Sequence, residues 1–278
     1  MLAVAVIVFR EVVEAALIVG VVLAASRGVR GRTLWVAGGI AGGVLGSMLV
    51  AGFTREIAHA LDGVGQEVFN AAVLFTAVVM LGMHNVWMNR HGRELAASAS
   101  SVGAAVRAGT RPLMALATVV GLAVLREGSE IVLFVYGIVQ SQGTPVIGVL
   151  GGGAIGVAGG VALGAALYSG LMTIPMRHLF TVTSAIILLL AAGLASQGAA
   201  FLVQADLVPS LGGQLWDSSA LVPESSFVGQ CLHALVGYVA RPEGIQLVAY
   251  LTTLAVIGGL MRTVGRAKPQ RLTPARAH

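Results

Sequence analysis

The chain has little charge for its length. Only 10% of its 278 residues are charged, whereas a soluble domain of ordinary composition carries about 25%. Hydrophobic residues make up 56% of the sequence, and the mean hydropathy is +0.89. Aromatic residues are also scarce, but glycine is abundant, with 38 copies. Gly-rich apolar segments are typical of membrane helices, where small residues let backbones approach closely. This composition excludes a soluble globular protein and indicates a membrane protein.

Cysteine is nearly absent, and its absence excludes two kinds of site. Cys231 is the single cysteine, so neither an intrachain disulfide nor a cysteine metal cluster can form. The formal net charge of +5 does not indicate nucleic-acid binding, because the basic residues lie between apolar runs and form no continuous face. The sequence also has no phosphate-binding nucleotide motif, so we expect no nucleotide hydrolysis by the chain itself.

Long apolar runs recur along the chain. A membrane-spanning helix needs about 20 mostly apolar residues, and the sequence predicts an all-α integral membrane protein with about seven transmembrane helices. A polar segment at 201–243 separates the last two helices, and we expect a loop with a short interfacial helix there. Residues 1–262 form one transmembrane domain, and the basic tail at 263–278 is predicted to be disordered. The seven predicted helices cover about 2–26, 34–53, 68–88, 113–139, 146–168, 180–200 and 244–262.

The placement of basic residues predicts the orientation. Most of the 17 lysines and arginines fall in the first, third and fifth predicted loops and in the tail, and only Arg55 and Arg241 fall in the loops on the other side. The side rich in arginine is expected to be cytoplasmic. We therefore predict an inner-membrane protein with its N-terminus outside and its C-terminus in the cytoplasm.

One charged motif occurs twice inside predicted helices. The segment about 1–90 carries Arg10-Glu11-Val12-Val13-Glu14, and the segment about 112–200 carries Arg126-Glu127-Gly128-Ser129-Glu130. Glycine-rich second helices add to this likeness between the two segments. With three helices per repeat, the two halves must be inverted relative to each other, as in many transporters. We predict two inverted three-helix repeats followed by a seventh helix.

The paired motifs are expensive to bury. Each charged side chain at the bilayer centre costs about 2.5–3.5 kcal/mol on insertion scales, so these groups should face the protein interior and pair with one another or with a ligand. In each motif the arginine and both glutamates share about one third of the helix circumference. Four carboxylates and two arginines leave a residual negative charge that favours a multivalent cation held by oxygen ligands. The sequence predicts metal ligands at Glu11, Glu14, Glu127 and Glu130, with Arg10 and Arg126 balancing charge.

Other interpretations of these residues remain. Each motif could form a structural salt bridge at i, i+4 spacing, although that would leave Glu11 and Glu127 unexplained. The outer acids could form a metal relay or an ordinary solvated surface. His84, near the predicted cytoplasmic end of the third helix, could line an exit or serve helix packing. The candidate outer relay comprises Glu56, His59, Asp62, Glu67 and Asp217.

These motifs carry a family resemblance. The segments FREVVEAALIVGVVLA and LREGSEIVLF, together with Leu215-Trp216-Asp217-Ser218-Ser219, resemble the bacterial branch of the oxidase-dependent high-affinity iron permease family over residues about 9 to 262. The resemblance implies iron import in which the four glutamates bind iron in transit, with no permanently bound cofactor. It also implies an extracytoplasmic iron oxidase or peroxidase as a partner, and a homo-oligomer is compatible with it.

The resemblance leaves several functions open. The substrate could be another metal such as manganese or lead, or the same glutamates could serve a proton-coupled exchanger. From a different class, a membrane enzyme with a dinuclear carboxylate site would require Glu-x-x-His ligands, and neither motif contains histidine. A transporter rather than an enzyme is therefore the prediction.

Overall fold

The described part of the chain is almost entirely helical. The computed structural model describes residues 1–60, 65–170 and 176–266. Among these residues the only β-type pairing is a single bridge between Gln214 and Glu243. The prediction of an all-α protein is confirmed. The helices are α1 (Leu2–Ala25), α2 (Arg32–Ala60), α3 (Gln66–Arg107), α4 (Met114–Gln142), α5 (Val146–Tyr168), α6 (Met176–Gln204), α7 (Phe227–Val236) and α8 (Gly244–Arg266).

Five of these helices are long and apolar enough to cross a membrane. The apolar stretches lie in α2, α3, α5, α6 and α8 and cover Arg32–Phe53, Gln66–Trp87, Val146–Tyr168, Thr181–Gln204 and Gly244–Thr263. Helices α1 and α4 are of similar length, at 24 and 29 residues, but each carries an arginine and two glutamates near its middle. These two charged helices are the ones that require an internal environment, and they run through the centre of the fold.

The third helix is much longer than its apolar stretch. The predicted span at 68–88 agrees with the apolar stretch Gln66–Trp87. The loop expected directly after it is wrong, because α3 continues to Arg107, over 42 residues or about 63 Å. Its second half has its own apolar face, because Ala99 and Val106 pack with Leu116 and Val120 of α4. Loss of hydropathy after Trp87 therefore ends the apolar stretch without ending the helix. The arginines at 90, 93 and 107 belong to α3 and not to a loop.

Glycine allows two pairs of helices to pack backbone to backbone. Helix α2 packs along α4, where a Cβ on Gly43 would lie 2.7 Å from the carbonyl oxygen of Gly121. Helix α5 packs along α1, where a Cβ on Gly156 would lie 2.7 Å from the carbonyl oxygen of Ala5. Separations this short leave no room for a side chain, so only glycine fits at these crossings. The glycine-rich faces thus serve packing within one chain and hold the two charged helices in place.

The apolar core surrounds the charged helices. Leu74 and Leu81 of α3 pack with Phe134 of α4, Ile7 of α1 and Ile187 of α6, and all five side chains are buried. Since α1 and α4 both pass through this cluster, their polar residues lie inside a close-packed apolar shell. Glu11, Glu14 and Glu127 are buried within this shell.

The segment between α6 and α8 is ordered by its own polar contacts. The predicted short helix in this segment is confirmed as α7, and Ser226 caps it by accepting a hydrogen bond from the backbone N–H of Gly229 at 3.0 Å. The hydroxyls of Ser218 and Tyr238 lie 2.6 Å apart. The backbone N–H of Ala240 donates to the carboxylate of Glu224 at 2.7 Å. These bonds tie the segment into a compact cover beside the helices.

Candidate metal site

The first motif forms a fully buried ion cluster on α1. Arg10 donates from Nη1 to Oε1 of Glu11 at 2.9 Å, and its Nη2 lies 2.9 Å from Oε1 of Glu14. The exposed fractions of Arg10, Glu11 and Glu14 are 2%, 0% and 1%. One guanidinium therefore holds two carboxylates through two different nitrogens, and a second oxygen of each carboxylate remains available.

The second motif on α4 is arranged more loosely. Nε of Arg126 donates to Oε1 of Glu130 at 3.2 Å and lies 3.9 Å from Oε1 of Glu127. The guanidinium stacks 4.0 Å above the ring of Trp87 on α3. About a third of the Arg126 side chain is exposed, whereas Glu127 is buried. Both i, i+4 salt bridges that the sequence suggests are therefore present, and Glu11 and Glu127 have further contacts.

A histidine from α3 joins the two motifs. Nε2 of His84 lies 3.6 Å from Oε2 of Glu14 and 3.9 Å from Oε2 of Glu11, both on α1. Nδ1 of the same ring contacts Oε2 of Glu130 on α4. The ring is buried and packs edge-on to Phe134 at a centroid distance of 6.4 Å. Three helices thus converge on one polar cluster.

This cluster has the donor set of a metal site. Glu11, His84, Glu127 and Glu130 each offer one ligand atom, and these atoms lie within 4.8 Å of one another. Oε2 of Glu11 and Oε2 of Glu127 are buried and accept no hydrogen bond from the described residues. Buried carboxylate oxygens are costly unless something compensates them. Four carboxylates and two guanidiniums leave a formal charge of −2 when His84 is neutral, and a multivalent cation would compensate it.

Two cavities reach different members of the cluster. One of about 890 Å³ lies between α3, α4 and α8 and extends to His84, Arg126 and Glu130. The other, of about 650 Å³, lies among α1, α2, α4 and α5 and extends to Glu11 and Glu127. The walls of both cavities are otherwise mostly apolar. Different polar residues of the cluster therefore line the two cavities.

The candidate outer relay is not brought together in the described residues. Glu67 is exposed in the first turn of α3. Asp217 forms an ion pair with Arg241 at 3.1 Å and accepts hydrogen bonds from the side chain and backbone of Ser219. The Ser219 bonds and Arg241 lower the pKa of Asp217 to about 2. The side chains of Glu56 and His59 on α2, and Asp62 altogether, lie outside the described residues.

His84 is the cluster residue for which the sequence suggested only an exit-lining or packing role. Placing the end of the third helix near residue 88 put His84 close to the cytoplasm, where a histidine is unremarkable. A detectable signal was present nonetheless. His84 continues the buried stripe of Leu74, Ala77 and Leu81 at helical spacing, and a polar residue on the internal face of a membrane helix indicates a functional site.

Comparison with known proteins identifies the family of the chain. The family model described as the iron permease FTR1 family matches residues 1–265. The ferrous iron permease EfeU of Escherichia coli O6:H1 is 30% identical over 244 residues, covering 85% of this chain and 86% of that protein. EfeU of Shigella sonnei has the same identity and coverage, and EfeU of Yersinia pestis is 27% identical over 256 residues, covering 89% and 88%. No solved structure matches the chain.

The extent of these matches decides between the open classes. The family match spans almost all of the described residues, including both charged motifs, and the relatives align over more than four fifths of their own length. A dinuclear metalloenzyme is thereby ruled out in favour of transport. The chain belongs to the iron permease FTR1 family and is a membrane transporter rather than an enzyme.

Proposed function

We propose that this permease imports iron cations through the buried cluster formed by the two charged motifs. The observation that carries the proposal is the convergence of Glu11, Glu127 and Glu130 from opposite motifs to within 4.8 Å. The carboxylates replace part of the hydration shell of a cation in transit. Between transport events, Arg10 and Arg126 reduce the repulsion among the negatively charged glutamates. Glu14, held by Arg10 beside His84, completes the set of four glutamates. The ion is cargo, and no permanently bound cofactor is needed.

The same proposal includes seven membrane crossings in two inverted repeats. Helices α1 and α4 join the five apolar spans, because their charged residues are compensated internally. The packing of the two halves supports this arrangement: Gly156 of α5 meets Ala5 of α1 at the same separation at which Gly43 of α2 meets Gly121 of α4. Each half thus clamps the charged helix of the other. The protein lies in the inner membrane, with its N-terminus outside and its C-terminus in the cytoplasm, in keeping with the arginine distribution.

Iron is the proposed substrate because of the family and its relatives. The relatives from Escherichia coli and Yersinia pestis are described as ferrous iron permeases. Glu67, Asp217 and the other outer acids are proposed to attract cations to the entrance. An extracytoplasmic iron oxidase or peroxidase as partner, and a homo-oligomer, stay predictions.

The test is transport by the purified chain in liposomes. Radiolabelled Fe²⁺ and Fe³⁺ are supplied separately, with manganese and lead as competitors, to wild type, Glu11→Gln and Glu127→Gln. Removing a residue that hydrogen-bonds to a metal ligand typically lowers metal affinity about 10–100-fold. Removing a ligand itself should therefore lower iron uptake at least about tenfold. The matched control is Glu94→Gln, which changes an exposed glutamate on the second half of α3.

Each result has a definite meaning. Uptake that falls in both site variants and not in Glu94→Gln, with folding intact, supports passage through the cluster. Unchanged uptake in the site variants would make the motifs structural and contradict the proposal. If wild type takes up manganese or lead in preference to iron, that metal and not iron is the substrate.

A further inference from the structure

We infer that His84 is a metal ligand from a third helix and that it makes the site selective for nitrogen-binding transition cations such as Fe²⁺ over hard cations. The inference rests on the proposed function, because it assigns a ligand and a substrate class to the same cluster. His84 lies outside both charged motifs, so the motifs alone describe an all-oxygen site. The structure adds one imidazole to it.

The two ring nitrogens of His84 have different surroundings. Nδ1 contacts Oε2 of Glu130, whereas Nε2 faces Oε2 of Glu14 at 3.6 Å and Oε2 of Glu11 at 3.9 Å. The last two separations are too long for hydrogen bonds. They are of the size found between two ligands of one ion, since Fe–N and Fe–O bonds of about 2 Å place neighbouring ligand atoms about 3–4 Å apart. The space between Nε2 and these oxygens therefore suits a cation.

The contact with Glu130 gives the ring its orientation. Metal-binding histidines commonly donate their second ring N–H to a carboxylate, which fixes both the tautomer and the ring direction. Glu130 occupies that position here, and Arg126 holds Glu130 from the other side at 3.2 Å. Glu130 then positions His84 in addition to offering an oxygen to the cluster. Oε2 of Glu11, Glu14 and Glu127 is buried and accepts no hydrogen bond from the described residues.

Donor chemistry turns this geometry into selectivity. Carboxylate and carbonyl oxygens suit Mg²⁺, Ca²⁺ and Mn²⁺, whereas imidazole suits Fe, Ni, Cu and Zn. An all-oxygen cluster in a cell envelope would face an excess of magnesium and calcium. One nitrogen ligand shifts the preference toward later transition metals without requiring a change in charge. A residue with a purely packing or charge-balancing role would affect how much metal passes and not which metal passes.

The experiment measures selectivity rather than rate alone. Proteoliposomes of the full chain take up radiolabelled Fe²⁺ under reducing conditions against increasing Mn²⁺ or Ca²⁺, with His84→Asn and His84→Gln compared with wild type. We expect each variant to lose at least about tenfold in the ratio of iron to manganese transported. The matched control is His233→Asn on α7, whose ring binds the backbone of Tyr238 at 2.7 Å and lies outside the cluster.

A binding measurement separates this inference from the proposed function. The affinities of the detergent-purified protein for Co²⁺ and Mn²⁺ are compared by titration, since Co²⁺ shares the nitrogen preference and its visible absorption reports its ligands. A fall in the Co²⁺ to Mn²⁺ affinity ratio in the folded His84 variants supports the inference even if wild type carries no iron. An unchanged ratio in binding and transport overturns it and leaves the glutamate pathway standing. If His84→Asn fails to fold, the longer amide of His84→Gln decides by the same ratio.

Discussion

At the residue scale, two arginines in equivalent sequence positions have different surroundings. Arg10 is 2% exposed and binds Glu11 and Glu14 through separate nitrogens at 2.9 Å. Arg126 is one third exposed, makes one close ion pair with Glu130 and stacks on Trp87. The motif repeats in the sequence, but the two arginines differ in burial and therefore in role. Arg10 neutralises a closed cluster, and Arg126 borders the larger cavity.

This difference predicts unequal effects of matched substitutions. Arg10→Gln leaves two buried carboxylates without their cation, and breaking a buried pair typically costs about 3–5 kcal/mol. Arg126→Gln should lower stability less, because solvent near its cavity can reach Glu130. Thermal unfolding in detergent, followed by circular dichroism, should give a clearly lower midpoint for Arg10→Gln. Equal midpoints for the two variants would contradict the assigned burial.

The motif residues could be predicted from sequence because charge in an apolar helix is conspicuous. Six ionisable residues in two otherwise apolar segments stand out by type alone, and their spacing places the three residues of each motif on one face of its helix. His84 could not be found in this way. A single histidine near an assumed helix end has an ordinary explanation, and only the packing of α3 between α1 and α4 brings it to the carboxylates.

At the element scale, glycine separations decide which helices can touch. A Cβ on Gly43 would lie 2.7 Å from the carbonyl oxygen of Gly121, whereas a Cβ on Gly42 meets no atom within 4 Å. The two glycines are adjacent on α2, so they differ in direction and not in helix propensity. Gly43 faces α4 and Gly42 faces away from the protein.

We therefore expect Gly43→Ala to destabilise the protein and Gly42→Ala to be nearly neutral. Overpacking of a tight contact typically costs about 1–3 kcal/mol, and here it would also shift α4 and its glutamates. Thermal midpoints of the two variants in the same detergent provide the comparison, and iron uptake provides a second one. A similar loss in both variants would show that α2 does not pack on α4 through this face.

The helix boundaries show where sequence interpretation reaches its limit. Six predicted spans overlap the observed helices closely, because apolar length is a direct property of the sequence. The predicted third span ends where the apolar stretch ends, near Trp87, but the loop expected after it was wrong, because α3 continues to Arg107. Hydropathy identifies only the apolar stretch of a helix. It gives no information on the part of α3 beyond that stretch, which is stabilised by packing on Val22 and Leu116.

At the scale of the whole molecule, the proposed topology can be tested with single cysteines. Cys231 is the only native cysteine, so Cys231→Ala gives a background without thiols. Ala220→Cys should react with a membrane-impermeant maleimide in spheroplasts, whose inner membrane is intact. Ala108→Cys should react only after permeabilisation, since the residue is exposed after α3 on the side rich in arginine. The reverse labelling pattern would contradict the proposed orientation.

The packing of α1 against helices that come later in the chain has a consequence for how the protein is made. Helix α1 leaves the ribosome before the helices that pack on it, and in the proposed seven-span topology its three charged residues cost about 2.5–3.5 kcal/mol each at the bilayer centre. The helices that shield them, α4 and α5, are synthesised about 100 residues later. During translation Arg10 can pair with Glu11 and Glu14 on the same helix, but the contacts that α3 and α4 make with these residues are still missing. The cluster of Glu11, His84, Glu127 and Glu130 can form only after α4 has been synthesised.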